Sequence, residues 1–334
     1  MKAILLSEHG GPEALRLVER PDPTPEGDQI AVAVSHVGLN HLDLWVRRGV
    51  PGHRFALPLI PGSDLVGRRL DTGALVALQP GFGCGACARC LSGAHDRCRH
   101  YKIRGETTDG GLCSVVLARP AELLPIEGGL DPAQAAAAPL ALLTAWHMLV
   151  TRARVRAGDR VLVQAGASGV GIYAIQVARL FGAEVAAVAS TPEKRQLCRD
   201  LGAVEAWDRD GLRAGLRAWT DKEGVDIVVD HVGAETWEAS LQALRWGGTY
   251  VTCGATTGHS VPLNLRALFF KQLNLLGSTM GGMGELREAW GHLLAGRIRP
   301  VVHAVLPASR LAEAHALLEG RSVAGKVVVA WDLG

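Results

Sequence analysis

Cys84, Cys87, Cys90 and Cys98 stand in GFGCGACARCLSGAHDRC with the spacing C-x2-C-x2-C-x7-C. Four thiolates so close together suit one tetrahedral zinc, because each two-residue gap lets the chain fold back onto the ion. Gly83, Gly85, Ala86 and Gly93 are small and permissive, as a loop wrapped around a metal requires. An iron–sulfur cluster is the rival, since C-x2-C-x2-C also opens ferredoxin-type runs, and a metal-free relic is the third reading. Ferredoxin runs typically place the fourth Cys about three residues on, with Pro behind it. Here it comes seven residues on and Arg99 follows, which favours zinc. Four protein ligands leave zinc no open position, so this metal would hold a lobe together without running a reaction.

The second chemical pattern is a glycine turn. The apolar strand-like run 160–164 leads into Ala165-Gly166-Ala167-Ser168-Gly169-Val170-Gly171 and then a helix over 169–180. Glycines after a strand permit a tight turn and close approach of backbone to a pyrophosphate, and the helix N-terminus offers free N–H groups to it. Ser168 takes the place of the middle glycine of G-x-G-x-x-G. NAD sites place an acid at the end of the second strand to hold the ribose hydroxyls. This chain has Ala189-Ser190-Thr191 there, no acid before Glu193, and then Lys194 and Arg195. Cations in a first helical turn, where the dipole favours acids, fit a 2′-phosphate and give NADP(H) preference over NAD(H). The expected cofactor set is Gly166, Ser168, Gly169, Val170, Ser190, Lys194, Val232 and Gly254, with Arg209 also in reach of a 2′-phosphate.

These patterns need a scaffold. At 334 residues the chain exceeds one ordinary core, so two domains are expected. The first third reads as short strands broken by Pro and Gly. From about residue 140 strands alternate with helices, the mark of a parallel sheet. Thr191 and Pro192 open a helix as N-cap and first helical residue. Strands follow near 225–230, 248–253 and 274–276, then helices near 285–295 and 310–319 and a last strand over 326–331. A net charge of +2 gives no field to suggest nucleic acid or an anionic membrane. Only six of 35 basic residues are Lys, a bias with no functional reading. No signal-peptide architecture and no long apolar span is visible, and Cys113, Cys198 and Cys253 are scattered, so a reducing cytoplasm is the expected setting.

Gly38-Leu39-Asn40-His41-Leu42-Asp43-Leu44, Pro61-Gly62-Ser63-Asp64, the four cysteines, the GASGVG turn and FFKQLNLLGSTMG at 269–281 together resemble the medium-chain dehydrogenase/reductase superfamily. The resemblance covers nearly the whole chain. It implies an α/β protein: a GroES-like β-rich catalytic domain from 1–140 and 276–334, with a zinc lobe at about 81–100, and a Rossmann doubly wound parallel sheet over 141–275. It places the active site in the cleft between the domains and Thr144 against the nicotinamide. It further implies a homodimer or homotetramer built through the sheet edge near Asn274–Gly277.

Zinc alcohol dehydrogenases of this family carry a second, catalytic zinc. The positions that match its ligands hold Asn40, Ser63 and Leu140, none of them a good zinc ligand. The segment after Gly67 is also short for the family. Reduction of a simple ketone builds charge on one oxygen and benefits from a Lewis acid. Conjugate reduction of an enone or quinone spreads it as an enolate, which hydrogen-bond donors can stabilise. The resemblance therefore implies NADPH-dependent reduction of an activated C=C bond or a quinone, with Asn40 donating to the substrate oxygen and Asp43 supporting it. Trp45, where relatives often have Tyr, leaves the proton source open. The competing readings are an alcohol dehydrogenase with an unusual metal site around His41 and Asp64, and a weakly active NADPH-binding structural or regulatory protein.

Overall fold

The computed structural model describes residues 1–333. The chain forms two compact units, Met1–Ala141 with the chain from Gly282 onward, and Leu142–Gly281. It passes from the first to the second within the helix Pro139–Trp146 and returns after Gly281. The return lies beyond 275/276 because Asn274–Gly277 still pairs with Leu244–Thr252 in the second unit's sheet. Among the described residues no helix is long and apolar enough to cross a membrane.

The first unit is built on a seven-stranded sheet. Its strands run in the order Val302–Pro307, Lys326–Ala330, Ile30–Gly38, Asp64–Arg69, Leu75–Leu78 and Leu123–Pro125, with Val115–Ala118 also paired to Ile30–Gly38. Antiparallel pairing with one face inward calls for alternation. Val32 and Val34 on one strand and Val327 and Val329 on the other supply it, packing with Leu65, Leu78 and Leu112 into one core. The unit's two ends of chain are thus joined in a single sheet: residues from the first forty and the last ten are direct neighbours.

The second unit is a six-stranded parallel sheet. Its strands are Arg160–Val163, Glu184–Val188, Glu205–Trp207, Val225–Asp230, Leu244–Thr252 and Asn274–Gly277. Counted along the chain they lie in the order third, second, first, fourth, fifth, sixth. That is the order of a Rossmann sheet, with its switch point between the first and fourth strands. The central strands are apolar almost throughout, as strands covered on both faces must be: Val161, Leu162, Val163, Val228 and Val229 are fully buried. The helix Gly169–Leu180 follows the first strand, and its Ile172, Ala174, Ile175 and Val177 are buried.

Candidate active site

In the first unit the register of three strands assembles a polar cluster from distant segments. Ile30–Gly38 pairs Gly38 with Asp64 on one side and with Val328 on the other. Two residues further along, that antiparallel register sets Asn40 opposite Lys326, and Leu39 N donates to Val327 O at 2.9 Å. Gly38 is required by close approach, since a Cβ there would meet the Ala136 carbonyl oxygen at 2.0 Å. The helix His41–Arg48 starts at Asn40, whose backbone N donates to Asp43 Oδ2 at 2.7 Å. Its far end is held by Arg47, which reaches His315 at 3.2 Å and pairs with Glu319, both on the helix Leu311–Glu319 that precedes Lys326. Burial and the Arg47 charge push His315 down to about 4, so it stays neutral beside the guanidinium.

Lys326 and Asp64 are 2% and 0% exposed, and they form an ion pair at 3.0 Å. Lys326 Nζ also donates to Asn40 Oδ1, while Asn40 Nδ2 donates to Asp64 Oδ2 at 3.0 Å and to Gly38 O at 3.4 Å. An ammonium can only donate, so it fixes which end of the amide is oxygen. Asp64 Oδ1 accepts from Leu140 N at 2.6 Å, and Asp43 Oδ1 accepts from Gly62 N at 3.1 Å. Burial pushes Asp43 up to about 6, against the opposing hydrogen bond from Asn40 N and the Lys326 charge. Asn40, expected as a free donor to substrate, has both amide hydrogens engaged inside the protein. Its position is that of a bridge between a buried cation and its counter-ion. Lys326 was not singled out by sequence reasoning, and its only signal was a lysine opening the apolar run KVVVA.

Asn40, Ser63 and Leu140, the positions that the family resemblance matches to catalytic-zinc ligands, lie in or beside this cluster. Ser63 turns its hydroxyl onto Arg104 O at 2.7 Å, Leu140 offers only a backbone N–H, and Asn40 is held as described. Asp64 is already neutralised by Lys326, so a dication would sit beside a buried ammonium. These residues do not fit a catalytic zinc.

The cysteine lobe does fit a metal. The four Sγ atoms lie within 4.8 Å of one another, with separations of 3.6, 3.7 and 3.9 Å among them. A zinc with Zn–S bonds of about 2.3 Å sets its sulfurs about 3.8 Å apart at tetrahedral angles. Backbone N–H groups of Ala86 and Cys87 bring Cys84 down to about 6, and that of Cys90 lowers Cys87. Burial among the thiols pushes Cys90 up to about 12. Four adjacent thiolates therefore need a dication to ionise together. The lobe leans on its own unit through His95, whose Nδ1 lies 3.3 Å from Met283 N.

In the second unit the expected cofactor residues gather beyond the carboxyl ends of the parallel strands, where open α/β sheets bind ligands. Ser168 caps the helix Gly169–Leu180, accepting from Gly171 N at 3.0 Å. Gly171 is compulsory because a Cβ would lie 2.4 Å from Ala165 O. Ser190 is exposed after the second strand, and Lys194, its ammonium disfavoured by burial, follows in the helix Pro192–Asp200. Arg209, beyond the third strand, pairs with Glu235 at 3.0 Å. Val232 and Gly254 follow the fourth and fifth strands, and Thr144 is buried on the helix Pro139–Trp146. Two more residues join this edge. Arg195 Nη1 crosses the end of the second strand, donating to Ala189 O at 3.3 Å and Ser190 O at 3.2 Å, with Asp208 at 3.4 Å. His231, after the fourth strand, has Nε2 2.8 Å from Ser168 Oγ.

Residues 26–128 match the alcohol dehydrogenase GroES-like domain, and residues 169–295 match the zinc-binding dehydrogenase family. A crotonyl-CoA reductase of Streptomyces collinus is 32% identical, over 87% of this chain and 75% of its own length. The quinone oxidoreductase of Mus musculus is 28% identical, over 98% of this chain and 97% of its own. A crystal structure described as an NAD-dependent alcohol dehydrogenase superposes with a TM-score of 0.94 at 39% identity, covering 99% of each chain. With its GroES-like and Rossmann units, the chain belongs to the medium-chain dehydrogenase/reductase superfamily. It is an oxidoreductase of that superfamily.

Proposed function

We propose that the protein transfers hydride from NADPH to an activated C=C bond or a quinone without a catalytic metal. The observation that carries this reading is the Asn40–Asp64–Lys326 cluster, a neutralised ion pair in the place that the family resemblance gives to a catalytic zinc. Hydride delivered to carbon leaves enolate charge spread over the acceptor, and fixed donors in a dry site suffice for that. Lys326 keeps one N–H beyond those given to Asn40 and Asp64. Asn40 and Asp43 act in this reading by holding Lys326 and the turn at Gly62 in place. The likeness to crotonyl-CoA and quinone reductases supports the acceptor class. Lys194 and Arg195 beside Ser190 support NADPH, and a single structural zinc in the cysteine lobe completes the cofactor set.

The test is a panel of quinones, enones and enoyl thioesters with NADPH and NADH, run on protein whose metal content is measured. About one zinc per chain with enone or quinone turnover is the expected result. About two zincs, with alcohol oxidation abolished by removing one, would reject it. That second reading is favoured by the 39% identical structure described as an NAD-dependent alcohol dehydrogenase. Replacing Lys194 should raise KM for NADPH far more than for NADH, and equal effects would sink the cofactor assignment.

We also read the protein as a homo-oligomer. The strand Asn274–Gly277 ends the sheet with one edge unpaired, and Leu265, Phe269 and Phe270 nearby in sequence are 65%, 66% and 59% exposed. Light scattering on Phe269→Lys should show dissociation, and a wild-type monomer would refute the reading.

A further inference from the structure

Ser168 stands where the dinucleotide motif has its middle glycine, the place at which bare backbone usually meets the pyrophosphate. A hydroxyl there must be accounted for. Its oxygen accepts from Gly171 N at 3.0 Å, and His231 Nε2 lies 2.8 Å away on the other side. Two arrangements are open. If Nε2 carries no hydrogen, the serine gives its own hydrogen to the ring and turns a lone pair toward an arriving phosphate. If Nε2 carries hydrogen, Ser168 Oγ accepts from both Gly171 and His231, and its hydroxyl hydrogen is free to point outward. Only the second arrangement suits an anion.

We propose that His231, acting through Ser168, is a proton-linked positioning residue for the pyrophosphate of the dinucleotide. This rests on the dinucleotide-binding reading of the second unit. The imidazolium carries hydrogen on both ring nitrogens, so protonation removes the unfavourable arrangement altogether. A pyrophosphate beside it favours the cation in turn, because an opposite charge nearby stabilises the charged form. By linkage, binding takes up a proton, and affinity falls as pH rises through the imidazole's range. The backbone on either side of the ring is anchored. Thr256 Oγ1 donates to His231 O at 3.2 Å, and Val232 N next to it is fixed on Asp230 Oδ1 at 2.8 Å.

Several titratable and charged groups on the surrounding elements are engaged elsewhere. Asp230, on the same strand, is fully buried and accepts from Val232 N, Gly233 N, Thr236 and Ser240. Glu235 on the next helix pairs with Arg209, and Arg195 beyond the second strand pairs with Asp208. Burial pushes Cys253 up to about 12 and raises Tyr250 as well. The helix Gly169–Leu180 carries no acid, only Tyr173 and Arg179. Histidine is the side chain whose charge ordinarily changes between about pH 5 and 8.

The test uses ADP-ribose, which carries the pyrophosphate but no group that titrates in this range. Calorimetric titrations at pH 5.5, 7.0 and 8.5, in two buffers of different ionisation enthalpy, report affinity and proton uptake together. Wild-type protein is expected to bind about tenfold more weakly at pH 8.5 than at 5.5, the effect of roughly one unit of imidazole shift, with a buffer-dependent enthalpy. His231→Gln keeps an N–H donor without charge. It should bind with no pH slope and no proton uptake, within about threefold of wild type at pH 8.5. Ser168→Ala should be weak and flat, with circular dichroism showing both variants folded. A flat wild-type profile, or a slope that survives in His231→Gln, overturns the proposal while leaving dinucleotide binding intact. Failure of both ADP-ribose and NADPH to bind overturns the underlying reading and the proposal with it.

Discussion

The cysteine lobe and the Asn40–Asp64–Lys326 cluster are both compact polar sites in the same unit, and they are built in opposite ways. The lobe draws its four sulfurs from one short stretch, 84–98, so backbone spacing alone brings them within 4.8 Å. The cluster draws its side chains from residues 40, 64 and 326, and only the register of three strands brings them together. The lobe gathers like charges and needs an added dication to make them compatible. The cluster carries its own cation and excludes another. A site written locally can depend on a ligand from outside, whereas one assembled by the sheet can be complete in itself.

The largest effect should follow from breaking the lobe. Cys90→Ser is expected to lower zinc from about one per chain to none and to destabilise by more than about 5 kcal/mol, read by metal analysis and denaturant unfolding. Unchanged stability without metal would mean that the thiols pack without a cation and that the contrast with the cluster is false. Next comes Lys326→Met, which leaves Asp64 buried without its counter-ion. The cost should be about 3–5 kcal/mol, and adding Asp64→Leu should recover part of it. No recovery in the double variant would show that the pair is not the unit holding the cluster.

Asp43 gives a pH-dependent test of intermediate size. Its folded-state value, raised to about 6 from an ordinary 3.8, means that the native protein holds this proton more tightly than the unfolded chain. Its contribution to stability is therefore greatest below about pH 4, declines as pH rises to about 6, and is level above that. Asp43→Asn should remove that slope, worth up to about 3 kcal/mol, from the melting temperature plotted over pH 4–7. An identical slope in the variant would assign it to another group. The smallest effect is expected from Ser63→Ala, which removes one hydrogen bond to Arg104 O at a cost of about 1 kcal/mol. Zinc content should not change, and a lost equivalent would expose Ser63 as part of a metal site after all.

Much of this could be anticipated from composition and spacing. The helix after Gly166 was legible because Gly169 to Leu180 combines a serine cap with an apolar face, both local properties. The thiol cluster was legible for the same reason. Asn40, Ser63 and Leu140 were recognisable as poor ligands one residue at a time, yet nothing in their types revealed a lysine among them. Lys326 lies 286 residues from Asn40, and its partner is chosen by strand register. His231 escaped in the same way: it acts on Ser168, which belongs to another strand's turn. The expected role of Asn40 changed because a side chain's free hydrogen bonds are what its neighbours leave over.

The sequence by itself determined the order of strands and helices, the glycine turn that opens the Rossmann unit, and the four sulfurs that can close on one ion. Periodicity, capping and loop spacing act over a few residues, and so they can be read in one dimension. The tertiary structure alone decided that a buried ammonium pairs with Asp64 and Asn40, and that a histidine backs the serine of the glycine turn. Those outcomes depend on which strands lie side by side and in what register, and on burial that makes each unpaired charge too costly to leave alone.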